Sequence, residues 1–306
     1  MTNLAIKTEN LTKRYGSLEA LKGVDLEVPP GFLFGIIGPD GAGKTSLIRT
    51  LATLVLPDGG RASVLGHDVV AEYRSIRNKM GYMPGRFSLY QDLSVLENLQ
   101  LFASIYDTTI EKNYHLIKDI YQQIEPFKHR RAGQLSGGMK QKLALSCALI
   151  HEPEILFLDE PTTGVDPVSR NEFWEMLEDL KKKGISILVS TPYMDEAKLC
   201  DMVALIQNGT ILSVNTPAEI VDSYNTPLYA IKATNKYQLL KDLKSYSYAA
   251  SVFPFGEYIH YTDQRGLNVV EELKKHLEAN NHSGIEVVSI APTVEDCFMA
   301  LMDEQV

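Results

Sequence analysis

Residues 31–54 read GFLFGIIGPDGAGKTSLIRTLATL. The first eight are a short apolar run closed by glycine, as a buried strand requires, and KTSLIRTLATL from Lys44 repeats its apolar residues at helical spacing. Between them GPDGAGKT fits the pattern in which glycines let the backbone fold around phosphates, a lysine reaches the terminal phosphates and a hydroxyl is offered to a divalent cation. Gly38, Pro39, Asp40, Gly41, Ala42, Gly43, Lys44 and Thr45 are therefore the candidate cradle. Lys44 is set for the β and γ phosphates, Thr45 for Mg2+, and Ser46 for the α-phosphate. The amide donors and dipole of the helix that follows favour an anion at the same place.

Working outward, ILFLDEP (155–161) and ISILVST (185–191) are continuous apolar runs of strand length separated by the amphipathic PVSRNEFWEMLEDLKKK, which predicts a parallel α/β sheet. The first run ends in acids. Asp159 can hold the metal shell and Glu160 can polarise an attacking water, although acids after an apolar strand are by themselves often caps or solvated loop ends. From about Leu93 to Ile150 the pattern is helical, with SVLENLQLFASIY and IEKNYHLIKDIYQQI spacing apolar residues at i, i+3, i+4, so a helical subdomain at about 93–150 is inserted into the sheet domain. DMVALIQNGTILSV alternates around Asn208-Gly209, a hairpin signal.

A composition shift at SYNTPL places a boundary near Asn225 to Pro227. Beyond it the order is strand (Leu228 to Ala233), helix (Tyr237 to Leu243), two strands (Ser251 to Thr262), helix (Gly266 to Ala279), strand (Ile285 to Ile290) and helix (Thr293 to Met302). That order suggests a small ferredoxin-like α+β domain.

With 306 residues, two domains are expected; 44% hydrophobic and 23% charged residues place the chain in the ordinary globular class. The formal charge of -9 argues against a nucleic-acid partner, whose backbone calls for clustered Lys and Arg. Cys147, Cys200 and Cys297 are widely separated, which fits buried free thiols in a reducing compartment. The seven histidines show no paired metal spacing. The start, MTNLAIKTEN, lacks a basic stretch followed by an apolar one, and no segment approaches the ~18 apolar residues that cross a bilayer. Action on a membrane would require another chain.

LSGGMKQKLALSCALI (135–150) is the decisive motif. Ser136, Gly137 and Gly138 open an apolar helix and present bare backbone amides to an anion. Alone, they could be an ordinary Ser cap and glycine turn. After the phosphate loop and before LDE, they make the chain resemble the ATP-binding subunits of ABC transporters over roughly Leu4 to Ser223.

The resemblance implies a P-loop NTPase domain of ABC type (4–224, with its helical subdomain) and a small C-terminal domain (228–306). It also implies that two cassettes, as a homo- or heterodimer, sandwich two ATP molecules with Mg2+. Ser136, Gly137 and Gly138 would then serve the partner's ATP, and Thr163 to Asp166 would form the D-loop. Tyr15 would stack on adenine, a role that a plain hairpin aromatic would mimic in sequence. GYMPGRFSLYQDLSVLENL and APTVEDCFMALM resemble the drug-exporter type, whose cassette is separate from its membrane permease. Arg86 to Leu99 would meet that permease, which would hold the chain peripherally on the inner, cytoplasmic face of the cell membrane. Phe87, Leu89 and Tyr90 could equally be subdomain core.

Two positions depart from the family. Gly85 stands where a glutamine is usual and Pro192 where a histidine contacts the γ-phosphate; proline has neither a side-chain donor nor an N–H. Asp40 replaces a small or amide residue. One lost hydrogen bond to a charged group, about 1.5 to 3 kcal/mol, implies a slowed ATPase, unless Thr191 or Tyr193 substitutes. The expected activity is transport-coupled ATP hydrolysis driven by dimer closure. The alternatives are a slow or non-catalytic cassette paired with a catalytic one, and a non-transport ABC ATPase.

Overall fold

The computed structural model describes residues 4–266 and 269–303. The chain opens with β1 (Ile6–Tyr15) and β2 (Leu18–Val28), an antiparallel pair turning at Gly16, then β3 (Leu33–Ile37), the glycine-rich loop and α1 (Lys44–Leu51). β4 (Gly59–Val64), β5 (His67–Asp68), α2 (Tyr73–Lys79) and β6 (Met80–Met83) follow. After them come α3 (Val95–Ile105), α4 (Ile110–Tyr121), α5 (Gly137–Leu149), β7 (Ile155–Asp159), α6 (Pro167–Lys182), β8 (Ser186–Thr191), β9 (Met202–Gln207) and β10 (Thr210–Asn215).

Two sheets result. The larger has the order β10-β9-β3-β8-β7-β6 and is parallel from β9 to β6; β10 returns antiparallel through Asn208 and Gly209, both at positive φ. β3, β7 and β8 are buried along their whole length, and so read as unbroken apolar runs rather than alternations. α1 packs on β7 and β8, and α6 on β3 and β8. The second sheet, β2-β1-β4-β5, is antiparallel. It was not anticipated. Val24, Leu26 and Val28 do alternate inward, but bulges between Thr8 and Arg14 break the period in β1.

The helical insertion has clear punctuation. Ser94 caps α3 in a reciprocal box with Glu97, Thr109 caps α4 and Ser136 caps α5, each hydroxyl accepting from the backbone three residues on. α5 packs on α3, α4 and α6.

The chain divides into two compact units, Met1–Pro217 and Ala218–Val306, a division lying ahead of the SYNTPL segment. α7 (Pro217–Asp222) spans the division. The second unit contains β11 (Leu228–Lys232), α8 (Lys236–Ser245), β12 (Ala249–Phe255), β13 (Tyr258–Asp263), α9 (Val270–Ala279), β14 (Glu286–Ile290) and α10 (Val294–Asp303). Its sheet order, β12-β13-β11-β14 with every neighbouring pair antiparallel, is the split βαβ arrangement expected of a ferredoxin-like domain. Ile231, Leu239, Leu243, Ile259, Tyr261, Leu273 and Leu277 form its core. The helix expected from Gly266 is described from Val270; Leu267 and Asn268 lie outside the described residues, as do 304–306 of the expected C-terminal domain. All three cysteines are buried and free.

Candidate functional site

Parallel strands direct their C-terminal ends to one side, and the candidate residues gather there. β3 delivers the loop that precedes α1. Gly38 passes so close to β9 that a Cβ would sit 2.1 Å from the Ile206 carbonyl oxygen. Gly43 has φ 110° and a Cβ there would meet the Ala20 oxygen at 2.5 Å. The β9–β10 turn props the loop from below: Gly209 N–H donates to Ala42 O (2.9 Å) and Lys22 N–H to Gly209 O (2.9 Å). Backbone contacts on three sides therefore fix the loop.

Inside the loop the Lys44 ammonium, 3% exposed, donates to the Gly38 and Pro39 carbonyls at 2.8 and 3.0 Å and lies 3.2 Å from Glu160 Oε1. Thr45 Oγ1 donates to Asp159 Oδ1 at 3.0 Å, and Ser190 Oγ donates to the same oxygen at 2.8 Å. Glu160 takes a left-handed backbone (φ 48°), and its N–H donates to Ser190 O and Oγ at 3.1 and 3.0 Å. The expected lysine, hydroxyl and two acids are thus brought together. Ser190, which orients Asp159 and holds the Glu160 backbone, is not singled out by the sequence; a hydroxyl one residue before the end of β8 is its only signal.

Tyr15, Gly41, Ala42, Gly43, Lys44, Thr45, Ser46 and Glu160 line a cavity of about 270 Å³, together with Leu18, Ala20 and Asn208. Tyr15 is 44% exposed at its rim, with the Lys13 ammonium 5.4 Å from the ring centre. Gly38, Pro39, Asp40 and Asp159 do not line this cavity; Asp40 is exposed. Ser136, Gly137 and Gly138 do not line it either. Ser136 and Gly137 are exposed at the start of α5, whereas Gly138 is buried against α6, where a Cβ would meet Ser169 Oγ at 2.5 Å.

A family model described as ABC transporter matches residues 21–163. A daunorubicin resistance ATP-binding protein of Streptomyces coeruleorubidus is 33% identical over 312 residues, covering 98% of this chain and 96% of its own length. The chain belongs to the ABC transporter family. A probable multidrug ABC transporter ATP-binding protein, YbhF of Escherichia coli K12, is 42% identical over 227 residues, covering 73% of this chain but only 39% of that larger protein. Among solved structures, a dimeric ATP-binding cassette in a post-hydrolysis state with ADP and Pi bound superposes with TM-score 0.62 at 25% identity, over 69% of this chain and 98% of the other.

The two departures from the ABC pattern have definite surroundings. Gly85 is exposed and abuts the LDE strand end; a Cβ there would lie 3.0 Å from the Asp159 carbonyl oxygen. Pro192 follows a fully buried Thr191 whose hydroxyl donates to Glu196 Oε2 and accepts from Tyr193 N–H at 3.0 Å. Thr191 is therefore committed and cannot replace the histidine. Tyr193 is half-buried with its ring 4.9 Å from the Arg170 guanidinium. The expected D-loop runs from Thr163 through Gly164 (φ 75°) to Asp166, which caps α6 by accepting from Ser169 N–H. In the segment read as permease-facing, Leu89 is buried, Phe87 half-buried under Lys140, and Tyr90 58% exposed. No described helix is long and apolar enough to cross a membrane, and no group of three or more His, Cys, Asp or Glu suited to a metal occurs among the described residues.

Proposed function

We propose that this cassette binds Mg-ATP in the Gly38–Thr45 loop and hydrolyses it as the motor subunit of an export-type ABC transporter. The convergence of Lys44, Thr45, Asp159 and Glu160 at one end of a parallel sheet carries the reading. The donor set suits magnesium: Thr45 and Asp159 supply two hard oxygens side by side, as befits an ion that keeps waters and takes its remaining ligands from phosphates. When bound, the ion would neutralise charge on the β and γ phosphates.

The protein's own share is positional and electrostatic. Lys44, already held by loop carbonyls, places a buried positive charge where the terminal phosphates would lie, and the loop amides and α1 dipole add donors. Tyr15 at the rim offers an aromatic face to adenine. Glu160 polarises the attacking water, which displaces ADP in line from the γ-phosphate. Ser136, Gly137 and Gly138 serve a second cassette's ATP, so closure of the pair is the power stroke. The chain works beside a separate permease at the inner face of the membrane.

Glu160→Gln tests this. The variant should retain Mg-ATP, run as a dimer on gel filtration with it, and lose steady-state hydrolysis; a monomer with intact hydrolysis would refute the assignment. Gly85 and Pro192 favour a second reading, in which this cassette turns over slowly and pairs with a faster one; unequal cassettes in the purified complex would select it.

A further inference from the structure

Glu196 is a carboxylate buried to 2% exposure in the short 3-10 turn Met194–Leu199 beyond β8. A buried charge is costly unless every lone pair is met, and here the partners come from separate parts of the cassette. Thr162 Oγ1, in the loop after β7, donates to Oε1 at 2.9 Å. The Thr191 hydroxyl, at the end of β8, donates to Oε2. Arg170 Nε, on α6, lies 3.6 Å from Oε1, and the same guanidinium pairs with Asp195 at 2.9 Å. One side chain thereby ties together the two strand ends that flank Glu160.

Each of those two anchors adjoins a residue that holds the backbone of Glu160, Ser190 on one side and Thr163 on the other. Thr191 follows Ser190, whose carbonyl and hydroxyl both receive the Glu160 N–H. Thr162 stands two residues beyond Glu160 in a tight turn, in which Thr163 N–H donates to Glu160 O at 3.2 Å and Val165 N–H to Thr162 O at 3.2 Å. Between them Glu160 is held at φ 48°, a conformation that a non-glycine residue keeps only where its surroundings enforce it. We propose that Glu196 is the positioning residue for Glu160: through the Thr162 and Thr191 hydroxyls it fixes the left-handed turn that aims the water-polarising carboxylate. This rests on the hydrolytic reading above.

The measurement is steady-state Mg-ATP hydrolysis by the full chain carrying Glu196→Gln, Glu160→Gln, or both. Glu196→Gln keeps the volume and replaces one acceptor with an amide that faces a hydroxyl already donating. Because a misplacement of about 1 Å can cost roughly a hundredfold, kcat should fall roughly ten- to hundredfold, with KM for ATP and the Mg-ATP-induced rise in Tm unchanged. On top of Glu160→Gln, read as single-turnover hydrolysis of bound ATP so that the residual rate is measurable, it should cost nothing further, since the group it positions is gone. Thr162→Val, which removes one hydroxyl and keeps the shape, should act in the same direction and carries the test if Glu196→Gln does not fold. An unchanged kcat, a loss shared between kcat and KM, or an equal further loss in the Glu160→Gln background would overturn the positioning role. If Glu160→Gln itself hydrolyses at the wild-type rate, the function reading fails first and this inference fails with it.

Discussion

The two ends of the parallel sheet are built on different chemistry. At the C-terminal ends of its strands, Lys44, Asp159, Thr191 and Glu196 are buried and met by named hydrogen bonds, and Glu160 is held in a rare backbone conformation. At the N-terminal ends, Leu65, Leu116, Leu149, Leu180 and Ile185 give a cavity of about 550 Å³ most of its apolar lining, and Glu152, Glu154 and Lys183 share its wall. Those charges stay at the surface, where Glu154 pairs with Lys79 and Lys183 with Asp119. Apolar contact is forgiving of small shifts; a buried network of donors and acceptors is not, because each unmet group costs its full desolvation. One end is therefore suited to stabilise and the other to discriminate.

Substitutions at the two ends should separate those roles. The largest effect is expected at the apolar end: Leu180, 3% exposed, should cost about 2 to 5 kcal/mol of unfolding free energy on truncation to alanine. Urea titration would register it, while KM for ATP and the Mg-ATP-induced stabilisation stay unchanged; an altered KM would dissolve the contrast. Next comes Lys44→Ala, which should remove most of the ~2.7 kcal/mol that Mg-ATP at a hundred times its Kd confers, the shift being read against the free variant because the substitution also strands the Gly38 and Pro39 carbonyls. An undiminished thermal shift would mean that the loop does not carry the nucleotide. The smallest effect belongs to the loop after β8. If Pro192 merely weakens the site, Pro192→His should raise kcat roughly tenfold, ~1.4 kcal/mol in the barrier. Gly85→Gln should add less, because its Cβ displaces the Asp159 carbonyl by a few tenths of an ångström. No gain from either, measured in the complete complex, would show a loop rebuilt around proline.

The same contrast governs what could be read in advance. Buried parallel strands announce themselves as apolar runs, and the phosphate loop as glycines with a lysine, since both are dictated within a few adjacent residues. The loop, the acids after β7, the helical insertion, the Asn208-Gly209 turn and the second unit's strand order were all legible for that reason. The antiparallel sheet was not, because bulges in β1 interrupt its alternation. Nor were Ser190, Thr162, Arg170 and Glu196, whose meaning lies in partners up to 34 residues away. Glu196 in particular stands in the polar stretch MDEAKL, where a solvated surface acid is the ordinary expectation. Sequence also left Thr191 free to replace the histidine; only its bond to Glu196 removes that option.

The glycines of the phosphate loop have a second master. Gly38 has no room for a methyl against the Ile206 carbonyl, nor Gly43 against Ala20, whether or not a nucleotide is present. A descendant of this cassette that had lost its catalysis would still have to keep both to fold. Lys44 and Asp159 are held by hydrogen bonds that a substitution can re-satisfy, whereas no side chain fits at the two glycines, so an intact glycine pattern in a decayed relative is a fossil of the fold and not a sign of surviving turnover.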